Sequence, residues 1–212
     1  MIYPASYNVT ILQNSTWRGE FRATQERQEL SRITVSGNAA TFEAYCHGLA
    51  NGDKVVFTIP SEASNQDFIS NSPSASTSIP CGLQLNSIYY VIASGLTNDS
   101  FKVSTSSGGT QISVTGNASG TFYVAKPLVI SGYGIDADVK QLTNDEQVAT
   151  FVCTITDAVN GSFKMEMAPS VTSGIAAGNY GYDVSFTTAG GDRYYWLQGT
   201  ATVQRTYSRN DS

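Results

Sequence analysis

The only histidine of this 212-residue chain, His47, directly follows one of its three cysteines, Cys46. An imidazole beside a thiol could serve as a base and nucleophile, or contribute to a zinc site. The spacing argues against both. Adjacent residues on an extended strand point to opposite faces, and zinc needs three or four converging ligands. The stretch CHGLANGDKVVF, residues 46–57, therefore reads as a turn delivering the chain into a strand, with His47 in a turn or core role. Asp136 and Asp138 stand two apart on an expected strand and share a face. Paired carboxylates serve glycosidic chemistry when a partner stands across a cleft, but two acids on the wet face of a sheet need no chemistry. Asp183, alternating outward on another strand, is expected to accept a hydrogen bond from a nearby turn or from Arg193.

Other chemistry-bearing patterns are weaker still. Gly190-Gly191-Asp192 reads as a hairpin turn between two strands, not as a glycine loop opening a helix around a phosphate. Cys46, Cys81 and Cys153 are an odd number without CxxC spacing, and are expected to be reduced and mostly buried. Five glycosylation triplets, beginning at Asn8, Asn14, Asn98, Asn117 and Asn160, carry little information in a chain this rich in Asn, Ser and Thr. No catalytic, cofactor-binding or metal-binding residue is assigned, and no enzymatic activity is expected.

Composition narrows the classes further. Charged residues make up 14% of the chain, against roughly 25% in ordinary soluble proteins. The surface must then consist largely of Ser, Thr, Asn, Gln and Gly, as in exported adhesins and in particle subunits packed against neighbours. The net charge is -5, and the 12 basic residues are scattered, so no footprint for nucleic acid exists. The opening Met1-Ile2-Tyr3-Pro4 has no basic leader region, and no apolar run is long enough for a membrane span.

The elements that must position these residues are short strands. Aromatic or β-branched runs at 7–12, 33–35, 53–59, 89–92, 101–104, 128–130, 135–139, 149–155, 162–167, 180–186 and 194–197 are separated by Gly, Asn, Asp, Ser and Pro. In one of them Tyr180, Tyr182, Val184 and Phe186 face one way while Gly181, Asp183 and Ser185 face the other. That period of two covers a core on one side and meets water on the other, as in an antiparallel sandwich. One helical turn is expected within 170–175, and residues 61–80 read as an exposed polar loop. The segments ITVSGNAATF, 33–42, and ISVTGNASGTF, 112–122, echo each other. They are either the entry and exit of an inserted unit or a chance match of turn sequence.

The 12 tyrosines, nine phenylalanines and two tryptophans mostly fall in strands, where core packing explains them. Trp17 with Arg18, and Tyr207 with Arg205 and Arg209, are less easily placed in a core. Tyr, Trp and Arg suit desolvated interface centres, so these five residues are the candidate interface.

A resemblance enters at this point. The outer pieces carry YNVTILQNSTW (7–17), PLVISGYGIDADVK (127–140), FVCTITDAVNGSFKMEM (151–167), VTSGIAAGNYGYDVSF (171–186) and GGDRYYWLQGTATVQRTYS (190–208). Spanning residues 3–32 and 125–209, they resemble a small β-sandwich domain of bacteriophage tail, baseplate and neck proteins. The matching elements are a small-residue turn into a Tyr-Asp strand, Gly178 to Asp183, and a Gly-X-Ala-X-Val pattern, Gly199 to Val203. The middle resembles a second phage module with an HGL-x-x-GD-x-V signature, met by His47-Gly48-Leu49, Gly52-Asp53 and Val55. That module is a small β-barrel-like insert similar to a non-catalytic half-domain of ubiquitin-activating enzymes. The resemblance implies an all-β chain: an immunoglobulin-like antiparallel sandwich at 1–37 and 125–212, interrupted by a β-barrel-like insert at 38–124. It implies a non-enzymatic virion subunit made in a bacterial cytoplasm, forming homo-oligomers and contacting other virion proteins, with fibre attachment by the insert. A carbohydrate- or receptor-binding module of a phage or bacterial surface protein is the alternative.

Overall fold

The structure, a computed structural model, describes residues 5–59 and 77–206. The chain is nearly all β. Its strands are β1 (Ala5–Ser6), β2 (Val9–Leu12), β3 (Trp17–Arg22), β4 (Gln28–Glu29), β5 (Arg32–Ser36), β6 (Ala39–Glu43), β7 (Lys54–Thr58) and β8 (Tyr89–Ile92). They continue with β9 (Ser100–Ser104), β10 (Tyr123–Ala125), β11 (Gly134–Lys140), β12 (Gln147–Asp157), β13 (Ser162–Met167), β14 (Gly178–Thr187) and β15 (Arg193–Gln204). The one helical turn among the described residues, α1 (Pro169–Thr172), links β13 to β14.

Among the described residues two sheets form. The first runs β1-β15-β14-β11-β12-β13-β3, with β2 also on β15. Its long strand β12 pairs with β11 through Gln147 to Phe151 and with β13 from Val152 onward. This lets the sheet fold over on itself. Phe163 of β13 then meets Phe186 of β14 at 5.4 Å and Trp196 of β15 at 5.5 Å, both edge-on. Each such ring pair adds about 1 kcal/mol beyond its burial. This is the sandwich, with Ile11, Met165, Val184 and Leu197 fully buried in its core. Two pairings depart from the antiparallel expectation, because β1 and β2 both lie parallel to β15. The long connection between the start of the chain and its last strand permits a parallel pairing, which a tight hairpin would not.

The second sheet runs β4-β10-β7-β8-β9-β6-β5. Its two end strands are neighbours in sequence, and the switch occurs between Leu30 and Ser31. Leu30 N–H donates to Phe122 O on one side, and Ser31 N–H donates to Glu43 O on the other, both at 2.8 Å. One continuous stretch thus bridges the seam and nearly closes a barrel. A second core fills it, with Phe42, Phe57 and Phe101 wholly buried and mutually in contact. The second sheet begins at β4, so β4 and β5 belong to the barrel and not to the sandwich segment expected at 1–37. Strand pairing decided this, and local sequence does not encode it.

Other expectations change as well. Residues 128–130 form no strand: Leu128 N–H bonds Ala23 O and Ile130 N–H bonds Ala158 O, so their donors serve a loop. Strand β3, which is not among the expected strands, alternates Trp17, Gly19 and Phe21 with Arg18, Glu20 and Arg22, and only Phe21 is deeply buried. The echo segments are not structurally equivalent. The first is the β5–β6 hairpin, and the second crosses beside it with Val114 N–H bonded to Asn38 O. Cys46 and Cys81 are exposed rather than buried, because both lie outside strands; only Cys153 is half-buried. Most of the expected loop at 61–80 lies outside the described residues.

Candidate functional site

His47 packs edge-on against Phe101 at 5.1 Å, and its Nδ1 accepts the Leu49 N–H at 3.0 Å. Its Nε2 is buried without a hydrogen-bond partner among the described residues. Cys46 has a left-handed backbone at φ 50° and is exposed, so thiol and imidazole do not converge. Downstream, Gly52 at φ 90° makes the turn, and Asp53 Oδ2 accepts the Ala50 N–H at 2.7 Å. Val55 is then fully buried in β7. The histidine shapes a strand entry.

The same motif makes a contact that the sequence does not announce. Asp53 also pairs with Lys126 at 2.6 Å, and Lys54 Nζ donates to Asn160 Oδ1 at 2.7 Å in the sandwich. Asn160 Nδ2 in turn donates to Asp157 Oδ2 at 2.6 Å. These hydrogen bonds, with Arg22 and Lys54 nearby, hold the Asp157 carboxyl below its ordinary value. Gly161 sits beneath, where a β-carbon would stand 2.7 Å from Leu128 O and would also strike Ala23 O. Barrel and sandwich are thus joined by a polar latch and a tightly packed double crossing, Thr24 bridging to Pro127.

On the outer face of β11, β14 and β15 the carboxylates meet as partners in register. Asp138 stands directly opposite Asp183, and Asp136 opposite Ser185. Lys140 approaches Asp183 at 3.8 Å, while Arg193 Nε donates to Ser185 Oγ at 3.0 Å rather than to Asp183. Ser185 is completely buried although it alternates outward. A one-residue bulge in β15 between the partners of Val184 and Ser185 breaks the alternation there. Beside this row an open groove of about 360 Å³ runs over Gly181, walled by Asn8, Lys140, Leu142, Asp183 and Gln198. Asp136 and Asp138 do not line it. No cluster of three metal-binding side chains exists among the described residues.

The candidate interface residues divide. Trp17 is half-buried, its ring against Phe151 at 4.9 Å, so much of it is committed to the core. Arg18 is exposed and pairs with Glu166 at 2.6 Å. Arg205 is exposed just past β15. Tyr207 and Arg209 lie outside the described residues. The end of β15 lies against the turn that leads into β3, because Gln13 N–H bonds Gln204 O at 2.9 Å and Thr206 Oγ1 bonds Gln13 O at 3.2 Å. Arg205 therefore flanks the turn at 13–16, and Leu12 at its start and Val171 of α1 are also exposed. Thr172 Oγ1, donating to Ser15 O at 2.9 Å, pins α1 to the same turn.

The sequence matches no model of a known protein family and no curated protein.

Proposed function

We propose that this chain is a non-enzymatic structural subunit of a phage virion, of the tail, baseplate or neck, that works by repeated protein contacts. The observation that carries the reading is that exposed Leu12 and Arg205 flank the turn at 13–16, to which the helix bearing exposed Val171 is pinned and from which the strand bearing exposed Arg18 departs. Arginines mixed with exposed apolar groups at a single end suit a desolvated contact. The phage setting comes from the resemblance of the outer and inner segments to virion modules. The latch of Asp53, Lys126, Lys54 and Asn160 suits a particle subunit, since it ties the barrel to the sandwich and lets it project as one body. Light scattering after size exclusion, over a range of concentrations, tests the assembly: a discrete ring-sized oligomer is expected. Absence of the chain from purified virions, read by mass spectrometry, would overturn the assignment.

The polar groove over Gly181 favours a second reading, a carbohydrate- or receptor-binding module. Its Lys140, Asp183, Gln198 and Asn8 side chains offer donors and acceptors to a hydroxyl-rich ligand. The ring of Tyr182 is turned inward, its hydroxyl donating to Tyr7 O at 2.6 Å, so it offers no stacking platform there. Binding on a broad glycan array that is lost in Asp183→Ala would favour this reading over the first.

A further inference from the structure

The first strands of the chain form one edge of the sandwich sheet. Among the described residues β1 and β2 form strand pairs with β15 alone, in parallel and across about the whole length of the chain. The next strand, β3, is at the opposite end of the strand order, paired only with β13. The turn at 13–16 makes this whole crossing. Within it Asn14 takes a left-handed φ of 58°, which costs a residue with a side chain more than glycine. Swinging β1 and β2 outward would break no other strand pairing.

The slot that they fill is shaped for them. Val9 and Ile11 are buried in the sandwich core at 3% and 0% exposure. Tyr7 meets Phe21 edge-on at 5.7 Å, and Tyr182 donates its hydroxyl to Tyr7 O. Thr200 N–H is capped by Asn8 Oδ1 at 2.9 Å. Gly199 has no side chain where the Tyr7 backbone crosses. An empty slot would accept the same strand from another copy with every one of these contacts restored. Only the turn would differ, and short connections under conformational strain favour such exchange.

From this geometry we infer that β1–β2 is an exchangeable arm: in oligomers of this chain it leaves its own sandwich and pairs with β15 of a second copy. The inference deepens the assembly reading and rests on it for the biological setting. The exchange itself is a property of the isolated chain.

Thr10 and Thr202 are partners in register, which is within reach of a disulfide. In a chain carrying Cys46→Ser and Cys81→Ser, the pair Thr10→Cys and Thr202→Cys reports which copy supplies the arm. The protein is refolded under reducing conditions across a concentration series, separated by size, and then oxidised. The expected result is links within the chain in the monomer fraction and links between chains in the oligomer fraction, the latter diminishing on dilution during refolding. Oligomers whose links all lie within one chain would overturn exchange while leaving the assembly reading intact. A chain that stays monomeric at every concentration would overturn both. Deleting Asn14 and Ser15 supplies a second measurement, since the shortened turn can no longer close. A dimer that resists dilution is expected, and a folded monomer would overturn the inference. Should this variant fail to fold, since the deletion also removes the Ser15 carbonyl that Thr172 bonds, the disulfide links decide the inference.

Discussion

Gly199 lies directly against the carbonyl of Tyr7, and a β-carbon on this glycine would collide with that oxygen and crowd Tyr182 at 3.1 Å. The contact joins the first strands of the chain to the last, and Tyr182 completes it with a hydrogen bond to the same carbonyl. Burial raises the Tyr182 phenol far above its ordinary value, so it remains a donor.

Gly199→Ala is therefore expected to lift the Tyr7 segment away from β15. Overpacking of this kind costs about 1–3 kcal/mol, measurable as a lower urea midpoint. Amide exchange at Val9 and Ile11 should rise more than exchange in the barrel. Unchanged protection at those two residues would show that Gly199 is not what admits the arm.

The face-to-face carboxylates of Asp138 and Asp183 predict a gain in stability. Like charges directly opposite on neighbouring strands are unfavourable by about 0.2–1 kcal/mol, and Lys140 offsets only part of this from 3.8 Å. Asp138→Asn should raise the urea midpoint at low salt, with the gain shrinking at high salt as screening replaces the substitution. A loss of stability would mean that Asp138 serves a contact of its own.

Acid should weaken the latch with a defined sign. The Asp157 carboxyl is held below the ordinary 3.8 of an aspartate, first by the Asn160 side chain. Its contribution is present in full above 3.8, the unfolded value, and is lost as pH falls through the lower folded value. Wild type and Asp157→Asn should accordingly differ in thermal stability at neutral pH and converge in acid. A difference that persists unchanged at the lowest pH would remove Asp157 from the account.

The three thiols should separate cleanly. Burial, with Asp136 and Asp138 nearby, pushes Cys153 up to about 12, whereas Cys46 and Cys81 are exposed. Only the thiolate reacts readily with alkylating reagents. Iodoacetamide at mildly alkaline pH should modify Cys46 and Cys81 and leave Cys153 until the protein is unfolded, as read by mass spectrometry.

The latch and the groove were less legible than the fold. Asp53 reads in the sequence as a turn residue, and it is one; nothing in the chain indicates that its second contact is Lys126, 73 positions away. Gly181 and Gly199 interrupt strands of otherwise alternating side chains, which is a sequence signal for a hollow or a close approach. Which of the two each would be depends on what lies across from it: Leu142 for Gly181 and the Tyr7 carbonyl for Gly199.

What the sequence determined by itself is local. Period-two alternation placed Tyr182, Val184 and Phe186 in a core, and the turn chemistry of His47 to Asp53 marked a strand entry rather than a reactive pair. Tertiary structure alone decided which strands are neighbours. Residues 28–36 could join either sheet by their composition, and they join the barrel because Leu30 and Ser31 bond to opposite sides of its seam. Likewise, nothing local pairs Val9 with Ala201, 192 residues later. Backbone hydrogen bonds are the same for every residue type, so register and partner are chosen by how side chains fill the shared interior, and that choice belongs to the whole chain.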